Sequence, residues 1–180
     1  MTNGQIVFDH NPWPQGHPLE RFRLTLRSDD DANIRLHVHA VTVPYSDCGE
    51  PKPAQAGATP WTQPEKWLDH GRAILSSTQW NNAGFMLPTP HTQFAEEKLD
   101  GLTLTADPTK KISLDNPLED LAVGAWVLGN GIVGDHRLEL TRVQPYVFDV
   151  TWRGLLRNSF LGEERFDQSF TLTAEAVRLS

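Results

Sequence analysis

The feature that most restricts this chain is the alternation of apolar and polar residues in its last third, with Val147 and Leu155 as exceptions on the polar face. From Tyr146 to Arg157, the side chains of Tyr146, Phe148, Val150, Trp152 and Leu156 share one face. Asp149, Thr151, Arg153 and Arg157 share the other. The same period recurs from Phe166 to Ala176, with Phe166, Phe170, Leu172, Ala174 and Ala176 opposite Asp167, Ser169, Thr171, Thr173 and Glu175. A period of two over this length is the mark of a strand with one face buried. Leu138 and Leu140 alternate with Arg137, Glu139 and Thr141, giving a third strand, joined to the next by a turn at Gln144-Pro145. Proline has no N–H to give a ladder and suits that turn. The expectation is an antiparallel three-strand meander.

Matching apolar faces suggests a register of Trp152 opposite Phe170, Leu156 opposite Phe166, Val150 opposite Leu172 and Phe148 opposite Ala174. Gly154 then meets Gln168, the one polar rung on the inner face. It reads either as a bend or as a notch in which Gln168 orients a ligand.

A second hairpin stands near the start. Phe22, Leu24 and Leu26 alternate with Arg21, Arg23, Thr25 and Arg27. Ile34, Leu36, Val38 and Ala40 alternate with Arg35, His37 and His39. The run 28–32 is the turn. Face matching pairs Leu26 with Ile34, Leu24 with Leu36 and Phe22 with Val38, which places His39 opposite Arg21 and His37 opposite Arg23. Gln5–Phe8 is a further short strand.

Between 44 and about 100 the periodicity dissolves among seven prolines. Trp61, Trp67, Trp80, Phe85 and Phe94 nevertheless require burial, so the segment reads as an ordered excursion over the sheet. Thr62–Gly71 suggests a two-turn helix with Thr62 as N-cap, Glu65 as its capping-box partner and Gly71 as the stop. Residues 92–99 suggest another short helix, and 73–75 and 85–87 short strands. Leu102–Ala106 and Ile112–Leu114 suggest a hairpin around Asp107-Pro108. Leu121–Leu128 suits a strand covered on both sides. The fold expected is therefore all-β, an antiparallel sandwich or flattened barrel formed by one domain of 180 residues, with one or two short helices in the 44–100 excursion.

Gly129-Asn130-Gly131-Ile132-Val133-Gly134 has the spacing of a dinucleotide-binding loop. That loop needs a helix after it, and Arg137–Val143 alternates instead, so it reads as a hairpin turn and no cofactor is expected. His37 and His39 are weak candidates for a shared metal, since neighbouring guanidiniums oppose a cation and no third ligand is marked by spacing. Arg21, Arg23, Arg35, His37 and His39 together, with Arg27 at the end, make a basic patch suited to a carboxylate, phosphate or sulfate group, unless the acidic middle of the chain covers it. That middle, residues 44–120, holds eleven acids against six bases. Asp29-Asp30-Asp31 offers carboxylates without calcium-loop spacing. Trp61 and Trp67, with Trp13, lie in loop-like segments and are the tryptophans expected to face a partner.

The net charge of −7 argues against a nucleic-acid binder dominated by phosphate contacts. The longest apolar run is too short to span a bilayer, no leader is apparent, and the lone Cys48 can form no intrachain disulfide, so a cytoplasmic protein with no membrane partner is expected. No nucleophile motif is present. The readings that follow are a non-enzymatic module for a small molecule, anion or protein, a calycin-like barrel holding an apolar ligand among Trp152, Phe148, Phe170 and Gln168, and a metal-dependent enzyme using His37 and His39.

Overall fold

The structure, a computed structural model, describes residues 3–29, 31–113 and 117–180. Ten strands belong to one sheet: β1 (Gly4–Phe8), β2 (His17–Ser28), β3 (Ile34–Thr42), β4 (Ile74–Ser76), β5 (Phe85–Met86), β6 (Thr103–Ala106), β7 (Gly124–Trp126), β8 (Asn130–Gln144), β9 (Val147–Arg157) and β10 (Gln168–Arg178). Eight of them close on themselves in the order β1-β10-β9-β8-β7-β4-β3-β2, with β2 returning to β1. The fold is thus a closed antiparallel barrel, and β5 and β6 are appended to β3 and β8. Closure leaves the barrel without a free edge. The seam is short: β1 meets β2 only through Gln5↔Pro18 and Ile6↔His17. Farther along, the chain end completes it, as Leu26 N donates to Ser180 O and Ser180 N donates to Leu24 O.

The meander β8-β9-β10 is as expected, but its register differs by two residues. Phe170 faces Gly154, Leu172 faces Trp152 and Ala174 faces Val150. A shift of two preserves both faces, so alternation alone does not distinguish the registers. Gly154 does: a Cβ there would lie 2.7 Å from Phe170 Cε1, so the phenylalanine ring occupies the space that a side chain would fill. Trp152 and Phe170 remain diagonal neighbours, their rings edge-to-face at 5.3 Å. Gln168 pairs with Leu156 and marks the barrel end rather than an interior notch. The strand ends also differ. Tyr146 is exposed in the β8–β9 turn with φ 60°, Phe166 precedes β10, and a bulge at Ala176 turns Val177 inward.

The first hairpin shifts by two as well: Leu26 faces Leu36, Leu24 faces Val38 and Phe22 faces Ala40. His39 is therefore opposite Arg23, His37 opposite Thr25 and Arg27 opposite Arg35. The turn is tied by Asp29, whose Oδ1 accepts from the backbone N of Asp31 and Asn33 at 3.1 and 2.9 Å, while Oδ2 accepts from Arg35 Nε at 3.2 Å. That carboxylate is committed to the turn and not to calcium. Asp30 lies outside the described residues.

The 44–100 segment is more integral than an excursion, because it supplies the barrel strand β4 between β3 and β7. Its helix α1 (Pro64–His70) starts later than expected. Pro64 occupies the first helical position and Gln63 precedes it, while the Thr62 hydroxyl donates to Thr59 O, so Thr62 and Glu65 form no capping box. Gly71, at φ 78°, ends the helix as expected. Residues 92–99 form two 3-10 turns, His91–Gln93 and Glu96–Leu99. The β6 strand pairs with β8 and not with Ile112, which is not in a strand. Leu114 lies outside the described residues. Only Gly124–Trp126 of the 121–128 run is a strand, followed by a hairpin in which Leu128 and Gly129 carry φ of 52° and 99°. This hairpin fixes the glycine-rich segment as a β-turn leading into β8.

Candidate functional site

The barrel interior is filled by side chains. Trp152 is fully buried, edge-to-face with Phe85 at 6.1 Å and with Phe170, and it donates from Nε1 to His136 Nδ1 at 3.2 Å. That bond assigns the ring proton of neutral His136 to Nε2, which lies 3.5 Å from Asp107 Oδ2. Phe148 and Phe170 belong to the same core. Gln168 is buried and donates from Nε2 to Asp9 O, which places it on the closed end of the barrel.

Trp13, Trp61 and Trp67 were expected at the surface, and the structure buries all three. Their loops fold over one barrel end and form an aromatic cluster with Phe8, His17 and Tyr45. Trp67 stacks on His17 at 5.1 Å and meets Tyr45 edge-on at 5.2 Å, and Trp61 meets Trp67 at 5.7 Å. Trp61 Nε1 donates to Glu163 and Trp67 Nε1 to Trp61 O, so both indoles are satisfied internally. Trp61 and Gln168 do share the lining of a surface cavity of about 560 Å³ with His10, Glu163 and Asp167. Glu163 is occupied there by Trp61 and by the backbone N of Asn158.

The cluster also holds a contact that no sequence spacing announces: Cys48 Sγ lies 3.5 Å from His17 Nδ1. A thiol beside an imidazole is the arrangement that activates a nucleophile when it is ionised. Here burial, and secondarily Asp47, pushes the thiol up to about 11, and burial pushes His17 down to about 4. Both groups are therefore neutral at pH 7, and the contact is a hydrogen bond between neutral partners.

The basic hairpin face is assembled as the sequence suggested. Arg21, Arg23 and Arg27 project outward from β2, exposed to solvent; Arg35, His37 and His39 project from the same side of β3. Arg23, Thr25, Arg27, His37, His39 and Thr78 line a cavity of about 230 Å³, and among the described residues no acidic side chain joins them. His39 Nδ1 is bonded to Ser76 Oγ at 2.9 Å, which orients the ring. His37 is pressed beneath Gly84, where a Cβ would approach its ring to 3.0 Å, and its Nδ1 is buried without a hydrogen-bond partner. Both imidazoles are held below their ordinary pKa, first by burial and then by guanidiniums: Arg27 and Arg35 for His37, Arg21 and Arg23 for His39. Among the described residues, the acidic middle segment makes no ion pair with the face. Asp29 takes Arg35, but Arg21, Arg23 and Arg27 make no ion pair among the described residues. Thr78 reaches this site because β4 docks on β3, a contact that alternation does not reveal.

His37 and His39 have no third metal ligand: among the described residues no group of three His, Cys, Asp or Glu side chains converges. No helix among the described residues is long and apolar enough to cross a membrane. The class that fold and geometry define is a closed antiparallel β-barrel with a basic outer face. No family model, curated protein or solved structure matches the chain.

Proposed function

We propose that the protein is a non-enzymatic binding module, and that its ligand presents a carboxylate, phosphate or sulfate group to the β2–β3 face. The observation that carries this reading is the cavity between Arg23 and Arg27, lined by cationic and neutral donors with no carboxylate among the described residues to compete. Two guanidiniums supply forked donors to an oxyanion, and His39 supplies a ring N–H from Nε2 when its Nδ1 accepts from Ser76. The imidazole pKa values are depressed first by burial, and the smaller part due to the guanidiniums is the positive potential that an anion relieves.

Two further observations set this reading above its alternatives. The rings expected to line an internal apolar pocket, Trp152, Phe148 and Phe170, are packed on one another and their neighbours in the core. Of the histidines expected to hold a metal, His39 faces Arg23, and His37, opposite Thr25, feels the charges of Arg27 and Arg35.

Calorimetric titration with inorganic phosphate, sulfate and acetate at pH 7 and low ionic strength tests the proposal. Phosphate is expected to bind saturably, and Arg23→Gln is expected to weaken it about tenfold, the worth of one charge-assisted hydrogen bond. Raising salt to about 0.5 M is expected to suppress binding, because the site is open to solvent. Phosphate affinity indifferent to Arg23→Gln and Arg27→Gln would place the anion elsewhere and defeat the reading. Comparison among the three anions selects the ligand group.

A further inference from the structure

A second cavity of about 310 Å³, sharing no lining residue with the one on the basic face, is within the usual size range of small-ligand sites. Its lining is mostly apolar, with Trp80 and Leu118 exposed at 37% and 56% and Leu121, Val123 and Ala125 buried. The site depends on Gly124. A Cβ at that position would stand 2.6 Å from Trp80 Cε3 and 2.8 Å from Asn82 Oδ1, so only glycine lets the indole and the amide lie directly on the strand. Backbone bonds from Ala83 N to Leu121 O and from Gly84 N to Ala122 O hold the segment after Asn82 against the chain entering β7, so the walls are preformed.

Asn82 is buried at 5% exposure, and its Nδ2 donates to Leu118 O at 2.7 Å. That bond fixes the orientation of the amide. The Oδ1 is left buried without a hydrogen-bond partner. An acceptor in this state is costly and is normally satisfied. Among the described residues, Glu119 is the only ionisable side chain in the lining, and no cationic side chain lines it.

We infer that this cavity binds a small planar heteroaromatic molecule, neutral or cationic, which stacks on Trp80 and donates an N–H to Asn82 Oδ1. The flat apolar wall selects the ring, the orphaned acceptor selects the donor, and Glu119 disfavours an anion. The site differs from the basic face in its lining residues and in its charge preference.

Indole, 1-methylindole, tryptamine and indole-3-acetate are the probes, followed by amide chemical shifts of the full chain. Indole is expected to shift Trp80, Gly124 and Asn130 saturably, with a dissociation constant on the order of a millimolar for a ligand of this size. 1-Methylindole, which lacks the donor, is expected to bind about tenfold more weakly. Tryptamine is expected to bind more tightly than indole-3-acetate. Trp80→Ala, at a partly exposed position, is expected to weaken every probe, and Asn82→Leu to erase the difference between indole and its methyl derivative. Equal binding of those two probes to the unsubstituted chain, no saturable shift at these residues, or unchanged affinity in Trp80→Ala would overturn the inference. Should Asn82→Leu fail to fold, the paired probes and Trp80→Ala decide alone.

Discussion

Replacing Trp152 by alanine is expected to remove about 4–5 kcal/mol of stability, the largest effect of any single truncation in the barrel. The ring is wholly buried and touches Phe85, His136 and Phe170 from three sides. Its loss empties the middle of a filled interior and leaves His136 Nδ1 buried without its donor. A domain with a typical total of roughly 5–15 kcal/mol loses a large part of it, and the variant is expected to unfold at markedly lower urea. Trp152→Phe separates the two contributions. It keeps most of the packing and strands only the histidine nitrogen, for an expected cost of about 2 kcal/mol. Val143→Ala, at an exposed position of the same meander, is expected to stay within about 0.5 kcal/mol. Urea midpoints for the three variants check the series; a Trp152→Ala midpoint near that of Val143→Ala would contradict the core described here.

The second large effect is acid sensitivity. His17 is fully buried among Trp13, Tyr45, Trp67 and Phe8, and burial lowers its pKa from 6.5 to about 4. The unfolded chain takes up a proton at its ordinary pKa, whereas the folded chain does so only at the depressed one. The contribution is therefore complete above about pH 6.5, is lost as pH falls from there toward 4, and changes no further below. Its size over that window is about 3 kcal/mol. His37 and His39, also depressed, act with the same sign. Stability measured by urea at steps from pH 7.5 to pH 4 is expected to fall accordingly. His17→Phe, which preserves the stacked ring and removes the titrating nitrogens, is expected to flatten most of the slope. An unaltered slope in that variant would assign the acid sensitivity to other groups.

These effects rest on residues that the sequence marks unequally. Trp152 is legible because it lies on the inner face of a long alternating strand. The strands and faces of both hairpins follow from the same pattern, yet each register is displaced by two residues from the one that face matching selects. Period two is blind to even shifts. What decides is local: the Phe170 ring over Gly154 in one hairpin, and the Asp29 turn in the other. The basic face survives the shift because all its members move together, and only their cross-strand partners change.

His17 and Trp67 are illegible for a different reason. Their segments carry the proline and glycine of loops, and loops are ordinarily exposed. Here the loops wrap one end of the barrel and bury their aromatics against one another, so composition and burial part company. The strand β4 spans only three residues, too few to display a period, although it completes the barrel wall. Asn158 is similar. Its side chain accepts from the backbone N of Phe160 and Leu161 and donates to Val127 O and Leu128 O, tying two distant turns, and nothing in its neighbours announces that role. Thr78, Trp80 and Asn82 reach their cavities through the same tertiary docking.

The most direct measurement of the central claim, that the β2–β3 face is a binding surface for an anionic group, is a proton-detected titration of the His39 imidazole in the presence and absence of phosphate at matched ionic strength. Burial first, and then Arg21 and Arg23 beside it, hold the His39 imidazole below its ordinary pKa. A bound anion is expected to raise that pKa and to shift the Nε–H signals of Arg23 and Arg27 saturably, all with one dissociation constant. An imidazole titration unchanged by phosphate, with the two arginine signals unmoved, would contradict it.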